Sequence, residues 1–176
     1  RKFTAQSAGR ERGIVMHEMR RKDRQVTDRA EIHRVLDECE VCRVGFFDGE
    51  EVYIVPLNFG YEEKDGKLTF YFHSAGQGRK VELLARGEKA GFELDCGHQV
   101  VPGEKACNYT AMYKSIIGTG RTYEVMEDAD KMHAMQCLMA HYTDKTGEKP
   151  ELPPEALKRV RMFALEAEEL SCKEHL

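Results

Sequence analysis

The chain has 176 residues, 41% hydrophobic and 33% charged, with a formal net charge of -4 and a pI near 6.0. That balance fits one globular domain whose core needs no disulfide or metal to hold it, and the acidity argues against a nucleic-acid binder. No run of 18 apolar residues and no apolar leader occurs, so neither membrane insertion nor secretion is expected, and the cytoplasm is the expected compartment.

Residues 1–24 stand apart: Arg1, Lys2, Arg10, Arg12, Arg20, Arg21, Lys22 and Arg24 are set against only Glu11, Glu18 and Asp23. With little apolar periodicity, they read as a solvated, flexible arm preceding a single domain over 25–176. From Asp28 the pattern is helical. Asp28 and Glu31 have capping-box spacing, and Ile32, Val35, Leu36 and Cys39 share one face. Two β-rich runs follow, Val41 to Phe47 and Val52 to Tyr61, joined by the hairpin signal Asp48-Gly49-Glu50. Pro56 in the second run removes a ladder donor, which predicts an edge, a bulge or a ligand-facing break there. A third strand, Lys67 to His73, is reached through Asp65-Gly66, and the three are expected to form a meander.

Phe70-Tyr71-Phe72-His73-Ser74-Ala75-Gly76-Gln77-Gly78-Arg79-Lys80 is the most informative stretch. An alternating strand ends on an imidazole and a hydroxyl, passes through a Gly-rich loop and meets two adjacent cations. That order of groups fits a phosphate cradle and so a phosphorylated cofactor. A short helix is predicted from Arg79 to a C-terminal cap at Gly87. Lys89 to Cys96 and Tyr109 to Val125 read as strands, the second bent at Gly118 and Gly120. Met132, Met135, Leu138, Met139 and Tyr142 recur at helical spacing after Glu127-Asp128, as a core or subunit-contact stripe. Pro153-Pro154-Glu155 opens a short turn or helix, and Val160 to Leu170 forms a last strand. Hairpin-linked strands with short helices predict a mainly β protein, a small antiparallel barrel with peripheral helices.

Six cysteines, Cys39, Cys42, Cys96, Cys107, Cys137 and Cys172, are expected to remain thiols in a reducing compartment. Cys39-Glu40-Val41-Cys42 has metal-knuckle spacing, and Cys96-Gly97-His98 with Cys107 offers an irregular second half. Small core thiols are the expected reading, with no metal.

Val55-Pro56-Leu57-Asn58-Phe59-Gly60-Tyr61, Phe72-His73-Ser74-Ala75 with Gly78-Arg79-Lys80, and Tyr113-Lys114-Ser115-Ile116-Ile117-Gly118-Thr119-Gly120-Arg121 resemble, in order, the motifs of the nitroimidazole-resistance (Nim) branch of the pyridoxamine 5'-phosphate oxidase-like flavoproteins. The resemblance covers Met19 to Leu170. It implies an FMN-binding split barrel, usually a homodimer with two flavin sites at the interface. By motif, Arg79 and Lys80 would neutralise the flavin phosphate, with Ser74 donating a hydroxyl hydrogen bond. Val55, Pro56, Leu57 and Asn58 would lie along the isoalloxazine ring, and Ser115 would reach it from the partner subunit. His73 would hydrogen-bond the cofactor or supply a proton as the catalytic residue.

The chain has no tryptophan and lacks the Trp- and Arg-bearing end with which the vitamin oxidases grip their substrate phosphate. A pyridoxamine 5'-phosphate oxidase activity is therefore disfavoured. The resemblance implies an FMN-dependent reductase of small electron acceptors, 5-nitroimidazoles among them. The competing expectation is a flavin- or haem-binding protein with no turnover of its own.

Overall fold

The computed structural model describes residues 19–148 and 150–176. Most of the basic arm, residues 1–18, lies outside the described residues, while Lys22–Arg24 form a single 3-10 turn.

Strand β1 (Gln25–Val26) leads to helix α1 (Arg29–Glu38). Asp28 caps α1 by accepting the Glu31 amide at 3.0 Å. Only half of the capping box forms, because the Glu31 carboxylate accepts from Arg34 at 2.6 Å instead. Ile32, Val35 and Leu36 are buried on the predicted face. Strand β2 (Cys42–Phe47) forms a hairpin with β3 (Val52–Leu57); β4 (Gly60–Lys64) forms another with β5 (Lys67–Ser74). Helix α2 (Arg79–Ala85), β6 (Lys89–Val101), β7 (Thr110–Val125), α3 (Asp128–Thr146), α4 (Pro154–Leu157) and β8 (Arg161–His175) complete the chain.

All eight strands join one antiparallel sheet in the order β3-β2-β6-β7-β8-β5-β4, with β1 pairing the far half of β8. The predicted mainly β, split-barrel class is therefore observed, though pairing does not close the sheet. The expected meander is not. The run Val52 to Tyr61 is two strands, and its halves occupy opposite ends of the pairing order. Packing makes the break. The Phe59 side chain is fully buried, its amide donates to the Tyr142 hydroxyl at 3.0 Å, and that hydroxyl donates to the Glu40 carbonyl at 2.7 Å. Pro56 sits on the edge strand β3, opposite Arg43, as its missing donor required. The strands predicted to end at Cys96 and Leu170 run on to Val101 and His175, the first through a bulge between Cys96 and Gln99.

The bend predicted in β7 is real. The β7–β8 register shifts between Thr119 and Gly120, and a Cβ on Gly118 would lie 2.2 Å from the Glu169 carbonyl oxygen. The main core lies between α1, α2 and the sheet, around Phe59, Phe70, Phe72 and Phe163. A second cluster packs Met135 and Leu138 of α3 against Tyr71 and Met162, the core role expected of that stripe. No described helix is long and apolar enough to cross a membrane.

Candidate functional site

The predicted residues divide among three places. Arg79 opens α2 and reaches back to the β2–β3 hairpin, where its Nη2 donates to Asp48 at 2.5 Å and Glu51 at 2.7 Å. Its guanidinium also lies 4.6 Å from the centre of the Tyr53 ring. Helix α2 is thereby tied to β3, the strand whose outer edge has no pairing partner among the described residues. The Glu51 and Glu50 amides, then Arg79, hold the Asp48 carboxyl down to about 2, so it stays ionised. Both ion pairs use Nη2, which leaves Nη1 and Nε of Arg79 to a ligand.

Ser74 and His73 end β5, but strand alternation sends them to opposite faces. Ser74 is buried on the side of Phe70 and Phe72, which is also the side of Val55 and Leu57. His73 shares the other face with Tyr71. Although His73 is exposed by surface area, protein atoms crowding its ring, and then the Lys80 ammonium, lower its pKa from the ordinary imidazole value. At neutral pH the ring is therefore neutral. Lys80 thus lies near His73, and no carboxylate pairs with it among the described residues.

Along β3, Leu57 is buried in the core and Val55 packs against it, so their side chains serve packing. Pro56 and Asn58 are exposed. Ser115 lies elsewhere, on β7 opposite Asp95. The sheet order puts β7 three strand spacings from β3, about 14 Å along the sheet.

Direct pairing places Ser115 on the outward sheet face with Phe47, Val52, Ile54 and Ile117. These four side chains are 55–67% exposed; Phe47, Val52 and Ile54 adjoin on β2 and β3, while Ile117 stands apart on β7, across the ion-paired Arg43, Glu93 and Asp95 of the same face. Cavities of about 540 and 500 Å³ lie away from the predicted residues, against α3. The sequence reading missed Asp48, Glu51 and Tyr53. Asp48 appeared only as a turn residue, and nothing local marks Tyr53 as the platform beneath Arg79.

Among the described residues, no group of three metal donors includes Cys39, Cys42, Cys96 or Cys107. Cys39 and Cys42 are buried in the core, their thiols raised by burial, whereas Cys107 is exposed beside Asn108. All six are free.

The sequence profile of the pyridoxamine 5'-phosphate oxidase family matches residues 28–174. No functionally curated protein shows significant sequence similarity to the chain. Among solved structures, the chain is similar to a proposed 5-nitroimidazole antibiotic resistance protein of Bacteroides thetaiotaomicron, at 27% identity and TM-score 0.70, with 85% of each chain covered. A flavocytochrome of Azotobacter vinelandii matches at 18% identity and TM-score 0.71, over 91% of this chain and 73% of that one. An FAD- and haem-binding protein of Mycobacterium smegmatis matches at 18% identity and TM-score 0.69, over 86% and 73%. The last two establish a shared fold; one of those proteins is a flavocytochrome and the other binds FAD and haem.

Proposed function

Because the chain belongs to the pyridoxamine 5'-phosphate oxidase family, we propose that it binds FMN and passes electrons to a small acceptor of the 5-nitroimidazole class. The observation that carries this reading is that Arg79, at the start of α2, reaches the β2–β3 hairpin at Asp48, Glu51 and Tyr53, with Lys80 next to it in the chain and near enough to His73 to lower its pKa. The residues fit the group. Arg79 and Lys80 would hold the phosphate, and the open β3 edge would present the Pro56 carbonyl and the backbone of Asn58 to the polar rim of the ring. Ser74 would add its hydroxyl from the inner side of the strand end.

A single chain leaves this site open, and Ser115 faces away from it. A second copy seated on the face that carries Phe47, Val52 and Ile54 would cover apolar surface, exclude water and bring its own Ser115 into reach. The flavin, once bound, supplies the redox chemistry. The protein's part is to clamp the phosphate, shelter the ring and place His73. A neutral His73 imidazole would hydrogen-bond the acceptor through its one N–H, and it would deliver a proton more readily as pH falls toward its lowered pKa.

The test is anaerobic. Protein reconstituted with FMN is reduced and mixed with a 5-nitroimidazole, and the return of oxidised flavin absorbance is timed against free FMN. Faster reoxidation than free FMN, slowed in His73→Ala without loss of flavin, is expected. Reoxidation no faster than that of free FMN would defeat the reductase reading, and wild-type rates in His73→Ala would remove that residue from it.

A further inference from the structure

The face where β4 meets α3 carries a group of side chains that the proposed flavin site does not use. His133 and Cys137 stand at i and i+4 on α3 and so project from one face. Glu62 of β4 lies opposite them. The Glu62 Oε2 is 2.8 Å from His133 Nε2, and Cys137 Sγ is 3.6 Å from the same nitrogen. All three donor atoms lie within 4.8 Å of one another.

We propose that Glu62, His133 and Cys137 bind one divalent transition-metal ion of the zinc class, with the fourth position open to the adjoining cavity of about 540 Å³. Zinc bonds of about 2.0–2.3 Å in a tetrahedron separate neighbouring donors by about 3.3–3.6 Å. The Cys–His separation already has that value, and the Glu–His separation needs to widen by about 0.5 Å, within one carboxylate rotation. One nitrogen, one sulfur and one oxygen donor suit zinc and its borderline neighbours and disfavour magnesium or calcium, which take oxygen alone.

Three features of the surroundings make the group more than a surface ion pair. A Cβ on Gly60 would lie 2.3 Å from the backbone of Cys137 and Leu138, so β4 and α3 touch backbone to backbone. That contact sets the height of Glu62, two residues further on the same strand face, against the helix. The Tyr71 hydroxyl donates to Glu62 Oε1, orienting the carboxylate and leaving Oε2 to face His133. The cavity beside Glu62 and His133 is also lined by Glu127 and Asp130, which favour a cation and outweigh the one lining ammonium, Lys64, while Glu124 is taken up by Arg161. A plain Glu62–His133 ion pair gives no role to the Cys137 thiol. The thiol is therefore the discriminating ligand.

The test uses the full chain after chelation, titrated with Co²⁺ and then competed with Zn²⁺, without any activity readout. One equivalent of cobalt with a thiolate-to-cobalt charge-transfer band, displaced by zinc, is expected. The band should vanish in Cys137→Ser and persist in Cys107→Ser, and the affinity should drop at least about tenfold in Tyr71→Phe, which removes the hydroxyl that orients Glu62. His133→Gln alters an exposed side chain and serves if Cys137→Ser does not fold; it too should abolish the one-equivalent binding. No saturable binding near one equivalent, or an undiminished charge-transfer band in either ligand variant, would overturn the proposal.

Discussion

Arg79 and Lys80 adjoin in sequence, yet the structure gives them unequal jobs, and that inequality is measurable. Lys80 pairs with no carboxylate among the described residues, so Lys80→Gln removes one charge-assisted contact to the proposed FMN phosphate. The low end of the range for hydrogen bonds to charged groups applies, because Lys80 is only half-buried and water screens it, giving about 1.5 kcal/mol. That corresponds to a rise of about tenfold in Kd. Arg79→Gln loses a contact as well, and it also unmasks Asp48 and Glu51, whose carboxylates Arg79 now holds at 2.5 and 2.7 Å. Two bare carboxylates beside a dianionic phosphate repel it, so the Arg79→Gln loss should be the larger of the two. Adding Asp48→Asn and Glu51→Gln to Arg79→Gln should restore part of it. The assay is quenching of flavin fluorescence on titration with FMN and, separately, with riboflavin, which has no phosphate. Equal losses for the two flavins, or an Arg79→Gln loss no larger than that of Lys80→Gln, would refute the phosphate clamp. A second readout is independent of flavin: Lys80→Gln should raise the His73 pKa, measured by NMR, but only in part, since crowding of the ring is the larger cause of its depression.

Ile54→Arg, which puts a charge on the exposed apolar patch of Phe47, Val52 and Ile54, should shift the proposed dimer to monomer in sedimentation and lower flavin retention with it; a wild-type protein that sediments as a monomer, or a variant dimer unchanged from wild type, would refute that interface. Gly60→Ala should cost about 1–3 kcal/mol in urea unfolding, since its methyl would meet the Cys137 carbonyl carbon at 2.3 Å; a loss below about 0.5 kcal/mol would mean that α3 yields freely. His141 is buried, donates to the Cys39 carbonyl at 2.8 Å, and is held by burial below its ordinary pKa of 6.5. Below that pH the unfolded chain takes up a proton that the folded chain resists, so stability should fall as pH drops from 6.5 toward the lower folded value. Urea midpoints at pH 7.5 and 5.5 should show this fall, and a His141→Gln variant with the same pH dependence would assign it to another group.

Local chemistry wrote much of this protein into its sequence. The Asp28 cap, the Asp48-Gly49-Glu50 and Asp65-Gly66 turns, the α2 stop at Gly87 and the bend at Gly118 and Gly120 each depend on a few adjacent residues and on backbone sterics, so each could be read in place. Pro56 pointed to an edge, a bulge or a ligand-facing break because a missing N–H is intrinsic to it, and the edge is what the sheet order shows. The three ordered motifs likewise identified the family, since each is a short string of adjacent residues.

Contacts between distant segments were invisible at that level. The split of Val52 to Tyr61 depends on Tyr142, 83 residues from Phe59, because the strand propensity on either side of Asn58 is unbroken. Whether Arg79 stands free or neutralised depends on Asp48 and Glu51, 31 and 28 residues away. Meeting places of this kind are set by which buried faces the whole chain can satisfy together, and the approach of Gly60 to α3, which carries Glu62 to His133 and Cys137, is one of them. Only the packed structure contains that information, because the energy that decides it belongs to pairs of segments and to neither one alone.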